Sequence, residues 1–259
     1  MTKTSGQDAI AVAAAPPAAP VLAVGLGRGF GGKSTGLSEL VWRARNQGRQ
    51  VIVADGDARS ATLAGLFPGE TMQPPSEELA DVKAWLSQVL NRMVKERQSA
   101  VLDLGGGDRV LMEYGRDLRL VEFCQRRGIE PLALYFLGPE QEDLRHVLAI
   151  WDAGYFQPKR TLLVLNEGVI REGRTVVGAF DRTMKDPGFV RMLEAGAVPV
   201  LMTRLACMDM LRQVGVGLYD AAVGGGDKPF DPVEQFMVED WLDDLEAKRA
   251  RSGASGWLP

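Results

Sequence analysis

Residues 27–34 read Gly-Arg-Gly-Phe-Gly-Gly-Lys-Ser, so a glycine and four further residues precede Gly32-Lys33-Ser34. Those types at that spacing suit the binding of a polyphosphate. Glycines let the backbone wrap a phosphate chain with its N–H groups turned inward, and a helix begun at that point adds its positive end. Lys33 then offers a full charge to the terminal phosphates, and Ser34 offers a hydroxyl to Mg²⁺. Further polar residues close apolar runs downstream: Asp55 and Asp57 in VIVADGD, Asp103 in AVLDLGGGD and Asn166 in TLLVLNEG. Asp103 ends its run in the manner of a Walker B strand, where a carboxylate reaches Mg²⁺ through water beside the Ser34 hydroxyl.

These residues need a scaffold that brings strand ends together. Short runs rich in Val, Leu and Ile occupy 21–26, 50–57, 100–108, 130–138, 160–168 and 197–204. None alternates strictly with polar residues, so each reads as a strand buried on both faces. Helix-period stretches lie between them. Leu37, Leu40, Val41 and Ala44 share one face, with Gly48 as a stop. Leu79, Val82, Leu86, Val89, Leu90 and Met93 form a second stripe. Pro139 opens a third helix through about Asp152, closed by Gly154, and DPVEQFMVEDWLDDLEAKRARSG reads as a terminal helix. The expected fold is α/β: a doubly wound, mostly parallel sheet flanked by helices, with ligands at the carboxyl ends of its strands.

Composition bounds the rest. The chain has 259 residues, 46% apolar and 25% charged, with a net charge of −4, so overall charge gives no attraction to nucleic acid or anionic membrane. Cys124 and Cys207 match no metal or redox spacing, which fits a reducing cytoplasm. His146 is the only histidine, so no Ser/His/Asp or Cys/His site can be assembled around it. The Ala/Pro-rich residues 1–19 read as a flexible tail, 20–248 as the folded domain and 249–259 as a flexible C-terminal tail. Trp42, Trp85, Trp151, Trp241 and Trp257 read as packing residues. Arg126-Arg127 and the Lys-Arg-Ala-Arg run at 248–251 read as solvated faces.

Residues 28–35, Arg-Gly-Phe-Gly-Gly-Lys-Ser-Thr, resemble the deviant Walker A motif K-G-G-x-G-K-[ST] of the ParA/MinD group of P-loop ATPases. The resemblance covers about residues 20–210 and implies a P-loop NTPase fold with ATP and Mg²⁺ as cofactors. It places Gly29, Phe30, Gly31, Gly32, Lys33, Ser34 and Thr35 around the phosphates, and Ser34, Asp57 and Asp103 in the metal shell. It makes Asp57, the second aspartate of a D-x-D, the residue that positions the attacking water. It sets Arg28 where the group has a lysine that reaches the partner's nucleotide, and Asn166 where an asparagine hydrogen-bonds the adenine. Glu167 and Gly168 follow Asn166, so the guanine-reading NKxD is absent and ATP is expected over GTP. Gly105-Gly106-Gly107 reads as a switch segment, and the loop after the sixth strand should close over the base. Arg28 for lysine, Phe30 for glycine and the triple glycine depart from the group's pattern.

The resemblance further implies an ATP-dependent homodimer acting on DNA or on a DNA-binding, relaxase-type protein, in plasmid partition, mobilisation or positioning. EDWLDDLEAKRARSG is too acidic for a terminal membrane helix, so no membrane anchor is expected. Two alternatives stay open: a metabolic P-loop enzyme of the dethiobiotin-synthetase type, and a nucleotide-dependent scaffold that does not hydrolyse.

Overall fold

A computed structural model of the chain describes residues 19–57, 60–104, 110–225 and 230–259. Gly105-Gly106-Gly107 lies outside them. Six strands form one parallel sheet: β1 (Val21–Leu26), β2 (Val51–Asp55), β3 (Ser99–Asp103), β4 (Glu130–Leu137), β5 (Arg160–Asn166) and β6 (Val198–Met202). Their spatial order is β2-β3-β1-β4-β5-β6. β1 pairs in parallel with β3 on one side and β4 on the other, so the strand order reverses about β1. That switch point is where an open α/β sheet leaves a crevice for a ligand. Every strand lies within a few residues of its sequence-expected span.

Successive side chains of each strand enter opposite layers. Leu22, Val24, Ala100, Leu102, Ala133 and Tyr135 pack into one core, beneath α3 (Leu79–Glu96), α4 (Leu120–Arg126), α5 (Gln141–Ala153) and α6 (Pro187–Glu194). Val21, Ala23, Val53, Val101, Leu132 and Leu134 pack into the other. That second core lies beneath α1 (Lys33–Asn46), α2 (Thr62–Leu66), α7 (Met208–Val214), α8 (Leu218–Ala222) and α9 (Pro232–Arg251). Trp85 joins the expected α3 stripe and is buried. Cys124 lies wholly inside, where burial pushes its thiol up to about 12 and removes thiolate reactivity.

The C-terminal end differs from the expected flexible tail at 249–259. Helix α9 runs to Arg251, and Ala254 and Leu258 are buried in the α1-side core. The 248–251 run is not a solvated face either. Lys248 pairs with Asp244, and Arg249 is buried in a two-pronged contact with Glu39 of α1, with a further bond to Glu246 at 3.0 Å. Arg43 of α1 completes the group, its Nε donating to Glu246 at 2.6 Å. Burial alone would lower the Arg249 pKa, but Glu39 and Glu246 outweigh it and hold the guanidinium charged.

Sequence alone did not reveal this network because its contacts between α1 and α9 span 203 to 210 residues. Glu39 is 1% exposed, so removing its partner leaves a buried, uncompensated carboxylate. Arg249→Ala is expected to lower unfolding stability by about 3–5 kcal/mol, read from the urea midpoint. A double change, Glu39→Gln with Arg249→Met, should recover part of that loss. Equal losses in the single and double variants would show that the pair is not coupled.

Candidate functional site

The glycine-rich loop leaves β1 at Leu26 and enters α1 at Lys33. Two glycines are required by its path. Gly27 has φ +130°, and a Cβ there would lie 2.6 Å from the Phe136 carbonyl oxygen on β4. Gly32, at φ +79°, caps α1 in the left-handed region, and a Cβ would overlap the Asn166 carboxamide. Phe30 also lies in the left-handed region, at φ +62°, with its ring fully exposed. The glycine that the resemblance expects here would take that backbone freely, whereas phenylalanine holds it under strain.

Lys33 is buried, at 7% exposure. Its ammonium folds back over the loop and donates to the Gly27 and Arg28 carbonyl oxygens at 3.0 and 3.1 Å. Among the described residues no carboxylate lies within ion-pair distance of it. The first turn of α1 holds no acidic residue. The loop, the helix end and the lysine therefore bring positive charge together at the start of α1.

Ser34 and Asp103 meet as expected. The Ser34 hydroxyl donates to Asp103 Oδ2 at 2.7 Å, and Asp103 is buried at the end of β3. Asp55 pairs directly across from Asp103 in the β2–β3 register. It is the acidic residue whose role the sequence did not announce. Fully buried, it accepts N–H bonds from Asp57 at 3.0 Å and Ala64 at 2.9 Å, which fixes the turn between β2 and α2. Burial raises its pKa, the two N–H bonds oppose that, and the charges of Asp103 and Asp57 add to the rise. Asp57 is half-buried, and its Oδ1 accepts the Ser60 N–H at 3.0 Å. Asp103 is thus the carboxylate on the Ser34 hydroxyl, and Asp55 lies beside it within reach of the charges of Asp103 and Asp57. These are hard oxygen donors, the chemistry Mg²⁺ takes. No group of three His, Cys, Asp or Glu among the described residues forms a complete metal cage.

Asn166, 2% exposed at the end of β5, takes up a role that the sequence left unseen. Its Nδ2 donates to the Gly31 carbonyl at 3.0 Å, and its Oδ1 accepts the Gly168 N–H at 2.9 Å. The carboxamide therefore braces the phosphate loop against the β5 end, which leaves one N–H and one lone pair for a base. Beside it opens a cavity of about 290 Å³, lined by Gly32, Thr35, Asn166, Val169, Ile170, Thr203, Arg204, Leu205, Arg212 and Trp241 among others. The segment after β6 supplies much of this wall. Trp241 of α9 donates its indole N–H to the Thr203 carbonyl at 2.8 Å, and Thr203 donates to Asp244 at 3.1 Å. The C-terminal helix therefore holds this loop, and Arg204 secures its far side on the Ile170 carbonyl.

On the loop's other side, Arg28 lies 3.7 Å from Asp143 of α5, with its side chain 55% exposed. Burial raises the Asp143 pKa and Arg28 opposes the rise. Arg28, Gly29, Phe30 and Gly31 line a second, open cavity of about 440 Å³ with Arg171 and Arg174. His146 plays no part in either cavity.

No protein-family model matches the chain, and no curated protein does. Solved structures do resemble it. Chloroplast FtsY from Physcomitrella patens is 20% identical with a TM-score of 0.49, the match covering 88% of this chain and 66% of that one. This chain thus spans just under two thirds of that FtsY. A putative plasmid partition protein from Borrelia burgdorferi B31, bound to AMPPNP, is 10% identical with a TM-score of 0.47, covering 89% and 99%. The McdA–ATP complex from Cyanothece is 12% identical with a TM-score of 0.45, covering 88% and 97%. At these identities the likeness is one of overall fold alone.

Two variants probe the loop itself. Phe30→Gly should raise the melting midpoint by about 2 °C, since left-handed strain of about 1–2 kcal/mol is relieved and partly offset by the entropy of glycine. An unchanged or lower midpoint would contradict the strain. Asn166→Ala should lower stability by about 1–3 kcal/mol by stranding the buried Gly31 carbonyl. A neutral outcome in chemical denaturation would show that the brace carries no load.

Proposed function

We propose that this protein is an ATP-binding and ATP-hydrolysing switch of the ParA/MinD kind. The observation that carries the reading is the buried Lys33 ammonium, turned onto two loop carbonyls at the start of α1, beside the Ser34–Asp103 pair. A cation so placed is suited to exchange those carbonyls for phosphate oxygens. Ser34 and Asp103 would hold Mg²⁺, directly or through water, and the ion supplies charge neutralisation at the β- and γ-phosphates. The cavity between Asn166 and Trp241 receives the nucleoside.

In this reading Asp57 orients the attacking water. A carboxylate at the mouth of the site does this by position. Loop N–H groups and Lys33 stabilise charge on the transferring phosphoryl group. Arg28 lies on the open side of the loop, half exposed and only loosely tied to Asp143. That exposure supports a reach to a second subunit's nucleotide, in an ATP-dependent homodimer. The partner class is DNA or a DNA-binding protein, and the compartment is the cytoplasm. Among the described residues no helix is long and apolar enough to cross a membrane.

Turnover and mass measured together test the proposal. The parent should hydrolyse Mg-ATP slowly and double its scattering mass with ATP but not ADP. Asp57→Ala should bind Mg-ATP within a few-fold of the parent while losing about 100-fold or more in turnover. Arg28→Ala should stay monomeric. Mass doubling without hydrolysis would favour a scaffold. Phosphate transfer to a metabolite by a monomer would favour a dethiobiotin-synthetase-like enzyme.

A further inference from the structure

Arg212 stands 177 residues from the phosphate loop in sequence, yet its Nη2 donates to the Thr35 hydroxyl at 2.8 Å. Thr35 belongs to the first turn of α1. A guanidinium held at the positive end of a helix, close behind Lys33 on the same turn, is electrostatically unfavourable in itself. The first turn of α1 has no acidic residue of its own, and the nearby Asp103 carboxylate is engaged by the Ser34 hydroxyl at 2.7 Å. Arg212's carboxylate neighbour is Asp209, one turn back on its own helix at 3.3 Å and well exposed to solvent. A pair of that kind contributes little. The arrangement becomes favourable once an anion enters between α1 and α7.

The three residues that open α1 face different ways. Lys33 faces the Gly27 and Arg28 carbonyls, and Ser34 faces Asp103. Thr35 faces the 290 Å³ cavity, whose wall it shares with Asn166, Arg204, Arg212 and Trp241. Thr35 and Arg212 therefore mark the junction between the phosphate loop and the nucleoside cavity. In a nucleotide threaded through both, the group at that junction is the phosphate next to the ribose.

We infer that Arg212 is a nucleotide-binding residue that contacts the nucleoside-proximal phosphate, delivered from the helix after β6 to complete the phosphate loop from the opposite side. The inference rests on the proposed nucleotide reading and adds a ligand contact to it. Its guanidinium exchanges the Thr35 hydroxyl for phosphate oxygens, and Thr35 is freed to donate to the same group. Because α7 lies beside the base-side loop, this contact would also draw that loop toward the bound nucleotide.

Calorimetric titration of Mg-ATP and Mg-ADP into the parent, Arg212→Ala, Arg212→Lys and Lys33→Ala tests this. Arg212 is exposed, so both of its variants should melt like the parent. The proximal phosphate is common to both nucleotides. Arg212→Ala should therefore weaken ATP and ADP by the same factor, about 5- to 10-fold after allowance for solvent screening. Arg212→Lys should recover part of the loss. Lys33→Ala, by contrast, should penalise ATP more than ADP. Parent-like affinities for both nucleotides in Arg212→Ala would overturn the inference while leaving the nucleotide reading intact. A loss confined to ATP would overturn the assignment to the proximal phosphate. Absence of binding by the parent would overturn the nucleotide reading itself.

Discussion

The buried ammonium of Lys33 is the constraint around which the rest of the site is arranged. A cation removed from water without a carboxylate is costly, and two carbonyl oxygens at 3.0 and 3.1 Å only partly offset that cost. The loop keeps those carbonyls in place through left-handed glycines and through the Asn166 carboxamide on Gly31. Glycine at 27 lets the chain pass close to the β4 backbone, and glycine at 32 starts the helix against Asn166. The parallel sheet then sets Asp55, Asp103 and Asn166 at the same edge, because each ends a strand. The glycine-rich loop and the acidic strand ends thus meet at one place, where the Ser34 hydroxyl bonds Asp103 at 2.7 Å.

The C-terminal helix belongs to this arrangement. Near its middle, Trp241 and Asp244 hold Thr203, and so the wall of the cavity proposed for the nucleoside. Near its end, Glu246 and Arg249 hold Glu39 and Arg43 on α1, the helix that the phosphate loop opens. One element therefore fixes both walls between which a nucleotide would lie. The buried ion network is better understood as a device for registering α9 on α1 than as a source of stability. Apolar replacements of such networks often stabilise a fold as well or better.

The strands were legible because each is a short apolar run, and a parallel sheet buries both faces of such a run. The glycine-rich loop with Lys33 and Ser34 was legible because its spacing is local, and Asp103, 69 residues away from Ser34, because it ends an apolar strand run. Helices α4, α6, α7 and α8 were not read, since they are short, between five and eight residues, and bury only two or so side chains each. The brace by Asn166, the reach of Arg212 and the grip of Trp241 on Thr203 link residues 135, 177 and 38 positions apart. No local pattern encodes them. Residues 249–259 misled for a different reason. Arg, Ser and Gly dominate that stretch and read as a frayed end, but Ala254 and Leu258 suffice to anchor it in the core. Asp55 was overlooked because the motif gives weight to the second aspartate, whereas full burial shows the first to be the one that fixes the turn.

The central claim is that Lys33 waits on its own loop for a triphosphate. A crystal structure with Mg²⁺ and a non-hydrolysable ATP analogue tests it most directly. The account predicts phosphate density inside the loop, with the Lys33 ammonium moved from the Gly27 and Arg28 carbonyls onto phosphate oxygens and the Ser34 hydroxyl turned from Asp103 to the metal. Nucleotide bound elsewhere, or an occupied loop with Lys33 still on its carbonyls, would contradict it.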